Sequence, residues 1–242
     1  MKLSWFTALF FVLIVTACGT IATPIAPSRA ADNPTVAKLE ALGGFPCENS
    51  AFTCVTLTVP LDHSNPVDGR TLDVTFAVLP ATSERKGMFV TATGGPGSSG
   101  IASADSYTAA FDPAIPEHFD IVFFDQRGAY QSGNLQCPVA AATYYATDGR
   151  AITAEQEAAL LVTARTFAED CVAEMGVDVS TLAFYGTAQA VEDLELFRQA
   201  IGDEQFWLYG ESYGTQYAQT YAAAHPNQLA GLILDGTVDL TQ

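Results

Sequence analysis

The spacing of apolar positions changes several times along the chain, and each change predicts a different element. Residues 3–15 form a mainly apolar run after Lys2, and no charge occurs from 3 to 28. That run has the length of a signal-peptide core and falls short of the roughly 20 residues a spanning helix needs. Residues 54–59 alternate β-branched and polar side chains, Asp62-His63-Ser64-Asn65-Pro66 and Asp68-Gly69 supply turn chemistry, and residues 71–79 alternate again. This predicts an antiparallel hairpin at a sheet edge. Beyond it the alternation stops. Residues 88–93, 121–124, 206–209 and 232–234 are short apolar runs, the pattern of strands buried on both faces. Thr153-x-x-Gln156 is a capping box opening a helix with the stripe Leu160, Ala164, Phe167 and Cys171. Val191, Leu194, Phe197 and Ile201 form a second stripe, closed by Gly202. Strands alternating with helices predict an α/β fold with a mostly parallel sheet behind the hairpin.

The N-terminal run is set aside as a targeting segment. Val15-Thr16-Ala17-Cys18 is similar to a bacterial lipoprotein box, in which Cys18 is lipidated and becomes the mature N-terminus; Ser28-Arg29-Ala30 offers an ordinary small-x-small cleavage site instead. The chain therefore divides into a lipoprotein-like signal peptide (1–18), a tether rich in Ala, Thr and Pro (19–35) and a domain (36–242). Export predicts disulfides. Five cysteines less Cys18 leave four, and the short spacing of Cys47 and Cys54 pairs them, leaving Cys137 with Cys171. There is no C-x-x-C and the three histidines are scattered, so no metal site is expected. At 49% hydrophobic, the 242 residues can bury a sizeable core. A net charge of −17 with no Lys/Arg cluster excludes nucleic acid as a partner and leaves the lipid anchor as the membrane contact.

Two glycine motifs compete for the chemistry. Gly95-Pro96-Gly97-Ser98-Ser99-Gly100 fits G-x-G-x-x-G after a strand, and the next strand ends in Asp125, where a dinucleotide fold keeps its ribose-binding acid. Against it, the motif follows a hairpin, Pro96 removes a backbone N–H, Pro113 and Pro116 interrupt the helix that should follow, and an exported protein meets little NAD. The second motif, Gly210-Glu211-Ser212-Tyr213-Gly214, lies between the strand at 206–209 and an Ala-rich, helix-compatible stretch ending before Pro226. That is the context of a nucleophile elbow, whose sharp turn demands small flanking residues and presents the Ser hydroxyl at a helix N-terminus. The first loop then supplies an oxyanion donor, with Gly95 and Tyr213 N–H as the pair.

Gly94-Gly95-Pro96-Gly97, Asp125-Gln126-Arg127-Gly128 and Gly210-Glu211-Ser212-Tyr213-Gly214, in this order, resemble the proline iminopeptidase and tripeptidyl aminopeptidase family of α/β-hydrolases, exported bacterial members above all. Val59-Pro60-Leu61-Asp62, Leu135-Gln136-Cys137-Pro138 and Leu234-Asp235-Gly236 extend the resemblance over roughly residues 50–240. It implies an α/β-hydrolase fold and a cofactor-free serine exopeptidase that takes proline or short peptides from the N-terminus of oligopeptides, with Ser212 as nucleophile. Glu211 is a candidate for the substrate amine, and Arg127 for bracing its loop against a carboxylate. Tyr130 stands where the family usually has a second Gly. Thr93 stands where proline iminopeptidases often have His, which favours the tripeptidyl type. The triad is incomplete: His63 and His118 precede Ser212, His225 reads as a cap of the elbow helix, and Asp235 matches an Asp-Gly that is usually not catalytic. The expectation is therefore the N-terminal part of a longer protein, with the Asp, the His, the last strands and the cap beyond residue 242. The alternatives are an esterase or lipase and, for a chain that ends at 242, a catalytically dead peptide-binding lipoprotein. The residues leave oligomeric state open.

Overall fold

The computed structural model describes residues 33–240, so the signal peptide, Cys18 and residues 19–32 of the tether lie outside the described residues. One seven-stranded sheet organises the rest: β1 (Phe45–Pro46), β2 (Thr53–Pro60), β3 (Thr71–Leu79), β4 (Met88–Ala92), β5 (Asp120–Phe124), β6 (Phe206–Glu211) and β7 (Leu229–Asp235). The spatial order is β1-β2-β3-β5-β4-β6-β7. The predicted hairpin is β2–β3, paired antiparallel from Thr53↔Val78 to Pro60↔Thr71. β3 is antiparallel to β5, and from there β5, β4, β6 and β7 are parallel neighbours. This is an α/β-hydrolase fold with a mixed, mostly parallel sheet.

Helices cover both faces. α1 (Pro34–Ala41), α6 (Thr187–Ile201) and α7 (Tyr213–Ala224) pack on one, where Val191, Leu194, Phe197 and Ile201 of the predicted stripe are buried with Phe76, Val90, Leu208 and Tyr217. α2 (Gly100–Ala110) and α3 (Ala114–His118) cover the other, around Phe89, Ile101, Ile121 and Phe123. α4 (Pro138–Tyr145) and α5 (Ala154–Met175) form an outlying pair. Thr153 and Gln156 complete the capping box of α5, but no residue of α5 is fully buried; its stripe rests on α4, tied by the Cys137–Cys171 disulfide. Cys47 and Cys54 form the second bridge.

Three readings are corrected. Asn33 and Thr35, at the end of the expected tether, are buried: Asn33 Nδ2 and Thr35 Oγ1 donate to the Asp120 carboxylate at 2.9 and 2.5 Å, so the domain already includes residue 33. The strands read as buried on both faces are so only in β4 and β5. β7 is an edge strand of the described sheet, and Leu232 and Ile233 are 38% and 40% exposed. Trp207, within the run 206–209 read as a strand buried on both faces, is itself 38% exposed, its ring lying over Gly231 of β7.

Candidate active site

β6 turns into α7 through Ser212 alone. Its backbone sits at φ 54°, ψ −123°, a conformation that costs an L-residue on the order of 1–3 kcal/mol and survives only where surroundings impose it. Here they do. The Ser212 N–H donates to the Asp235 carbonyl at 2.8 Å, and the Ser212 carbonyl accepts the Thr215 N–H at 2.9 Å. A Cβ at Gly210 would collide with the Gly214 carbonyl, and one at Gly214 with the Ala92 carbonyl of β4. The flanking residues must therefore be glycine for the turn to seat against the sheet. Ser212 is exposed while Gly210 and Gly214 beside it are buried, and the Tyr213 N–H is among the donors a helix N-terminus leaves without an intrahelical partner.

The loop after β4 faces this turn. A Cβ on Gly94 would lie 3.0 Å from Ser212 Cβ, and Gly95 has φ 122°. Its position is fixed by Asp125 at the end of β5. The Asp125 side chain accepts from Ser99 Oγ at 2.7 Å and from the Ile101 N–H at 3.3 Å on the glycine-loop side, and from the Gln131 N–H at 3.1 Å on the other. The acid that suggested ribose binding thus joins two loops. Arg127 braces the second as expected: all five N–H groups are taken, by Asp193 at 2.8 and 2.5 Å and by the carbonyls of Leu61, Phe184 and Pro60. His63 Nε2 donates to the same Asp193 carboxylate at 2.8 Å.

Glu211 accepts a short hydrogen bond from Tyr107 of α2, and Asp235 accepts from Tyr209 at 3.0 Å. Burial, then the bond to Glu211, pushes the Tyr107 phenol up to about 12; burial, then the bond to Asp235, does the same for Tyr209. The remaining histidines are engaged elsewhere, His225 with Glu192 at 3.0 Å below the end of α7 and His118 with the Glu84 carbonyl at 3.2 Å. Tyr107 and Asp193 carried no sequence signal, because each acts through a partner far away in the chain. Beside the elbow, between Pro96-Gly97 and the segment after β5, lies a cavity of about 290 Å³ walled by Tyr130, Leu135, Tyr185 and Tyr213.

Among curated proteins, the serine protease Hip1 of Mycobacterium tuberculosis is 33% identical over 196 residues, covering 77% of this chain and 36% of that protein. Carboxylesterase B of the same organism is 35% identical over 199 residues, with 77% and 36% covered. The tripeptidyl aminopeptidase of Streptomyces lividans is 27% identical over 193 residues, with 77% and 35% covered. The chain thus spans about a third of the length of these relatives. The family model described as alpha/beta hydrolase fold matches residues 88–242, the stretch from β4 through the elbow. With that match and with Ser212 set between strand and helix above a parallel sheet, the chain belongs to the α/β-hydrolase family.

Proposed function

We propose that the protein is a serine exopeptidase that releases proline or short peptides from the N-terminus of oligopeptides through an acyl-enzyme on Ser212. The observation that carries this is the exposed Ser212 at φ 54° with the Gly94–Gly97 loop against it. Ser212 Oγ attacks the scissile carbonyl, its proton passes through a general base to the departing amine, and water later cleaves the ester. The Gly95 and Tyr213 N–H groups hold the oxyanion. Glu211, beside the nucleophile, meets the substrate ammonium. The catalytic Asp and His lie outside residues 1–242, a placement supported by the greater length of the relatives and by the engagement of His63, His118 and His225 elsewhere. The names of two relatives, serine protease and tripeptidyl aminopeptidase, and Thr93 in place of His favour the tripeptidyl type. Export, with Cys18 lipidated, belongs to the same proposal; the two disulfides, which oxidising compartments maintain, support the export.

A fluorophosphonate probe tests the assignment in the full-length protein: wild type should label and Ser212→Ala should not, and equal labelling of both would sink it. The likeness to a carboxylesterase keeps an esterase as second reading. Hydrolysis of nitrophenyl esters without release of N-terminal units from peptides would favour it. Peptide binding without turnover would point instead to a dead binding protein.

A further inference from the structure

The cavity beside the elbow has no part in the reaction steps above, yet its walls are specific. Its one ionic lining group, Arg127, has every N–H committed to Asp193 and three carbonyls, so no free charge faces a guest. A charged side chain entering there would exchange its hydration for neutral groups alone, the Gln126 and Gln136 amides and the tyrosine hydroxyls, with no counter-charge. Two rings are held in place: the Tyr213 hydroxyl bonds Thr187 Oγ1 at 2.6 Å, and the Tyr185 ring packs so closely over Gly128 that a Cβ there would lie 2.8 Å from it. The third ring belongs to Tyr130, whose φ of 37° lies in the left-handed region where glycine sits freely and a tyrosine is strained. Strain of this kind persists only where the surroundings impose it, and it concentrates at functional sites.

We propose that this cavity is the subsite for an uncharged, apolar side chain on the acyl side of the scissile bond, and that Tyr130 sets its size preference; this rests on the acyl transfer at Ser212 proposed above. Tyr213 makes the link: it follows Ser212 directly, its N–H is one of those that the start of α7 leaves without an intrahelical partner, and its own side chain lines the cavity. At about 290 Å³ the space lies at the low end of ligand pockets, roughly 300–1,000 Å³, and suits one side chain. The test uses the full-length protein and unblocked tripeptide nitroanilides that differ only in the residue before the scissile bond: Ala, Leu, Phe, Lys or Glu. Wild type should favour Leu or Phe over Lys and Glu at least tenfold in kcat/KM. The Leu-to-Ala ratio should fall about tenfold in Tyr130→Gly, which removes a wall, and in Leu135→Trp, which fills the space. A thermal melt establishes that each variant is folded. A preference for Lys or Glu, or ratios unchanged in both folded variants, overturns the subsite while fluorophosphonate labelling of Ser212 keeps the acyl-transfer reading standing. Absence of both labelling and turnover in wild type overturns the two together.

Discussion

Ser212 and Arg127 show how differently single residues disclose their roles. The turn at Ser212 was legible because its sequence signal is local, the glycines on either side, the strand before and the helix after all lying within a short window, although Asp235 and Ala92, which hold it in place, are distant. Gly214→Ala puts a methyl into the Ala92 carbonyl, so it should cost about 1–3 kcal/mol in denaturant unfolding and abolish fluorophosphonate labelling. Arg127 was read as a brace, but its partner Asp193 lies 66 positions away, with nothing in the intervening residues to mark it. Asp193→Ala leaves a buried guanidinium without its counter-charge and should cost about 3–5 kcal/mol, measured the same way, because breaking one side of a buried pair exposes the other's desolvation. The turn at Tyr130 shows the limit of reading by pattern. The family's glycine is missing, and the backbone nevertheless adopts a glycine-like φ of 37°.

At the scale of elements, those with a clear apolar pattern were legible. The hairpin, β4 and β5 emerged with nearly their final bounds, β4 and β5 as continuous runs buried at every position, and α6 emerged with its buried stripe and its stop at Gly202. α1 was missed because it is short, its apolar positions are few, and its attachment runs through Asn33 and Thr35 to a carboxylate on β5. β7 was recognised but its environment was not, because an apolar run does not say whether a neighbour covers it. The α4–α5 pair lies apart from the core, which makes its disulfide important. Closing a 34-residue separation stabilises by about 3–4 kcal/mol on the chain-entropy model. Replacing Cys137 and Cys171 by Ser should therefore raise hydrogen exchange across α4 and α5 first, leaving the β4, β5 and β6 amides protected, as expected for a locally opening unit. Uniform loss of protection would show instead that the pair is integral to the sheet domain.

For the molecule as a whole, acid is the informative perturbation. Burial by itself would raise the Glu195 pKa, but hydrogen bonds from Arg198, Gln199 and Tyr221 hold it down to about 2, against an ordinary 4.5. A depressed folded-state value means the unfolded chain takes up the proton first. The stabilisation is complete above about 4.5 and is lost as pH falls toward 2. Melting temperatures followed across that window should decline less steeply in Glu195→Gln than in wild type; parallel curves would show that this carboxylate does not contribute. The same sheet carries a different kind of economy at its C-terminal edge. Asp125 fastens the glycine loop and the segment after β5 to one carboxylate, so neither can drift without the other. In the acyl transfer proposed for Ser212, dipoles held this way would need little reorganisation as negative charge builds on an oxygen, because the work of aligning them was done when the chain folded.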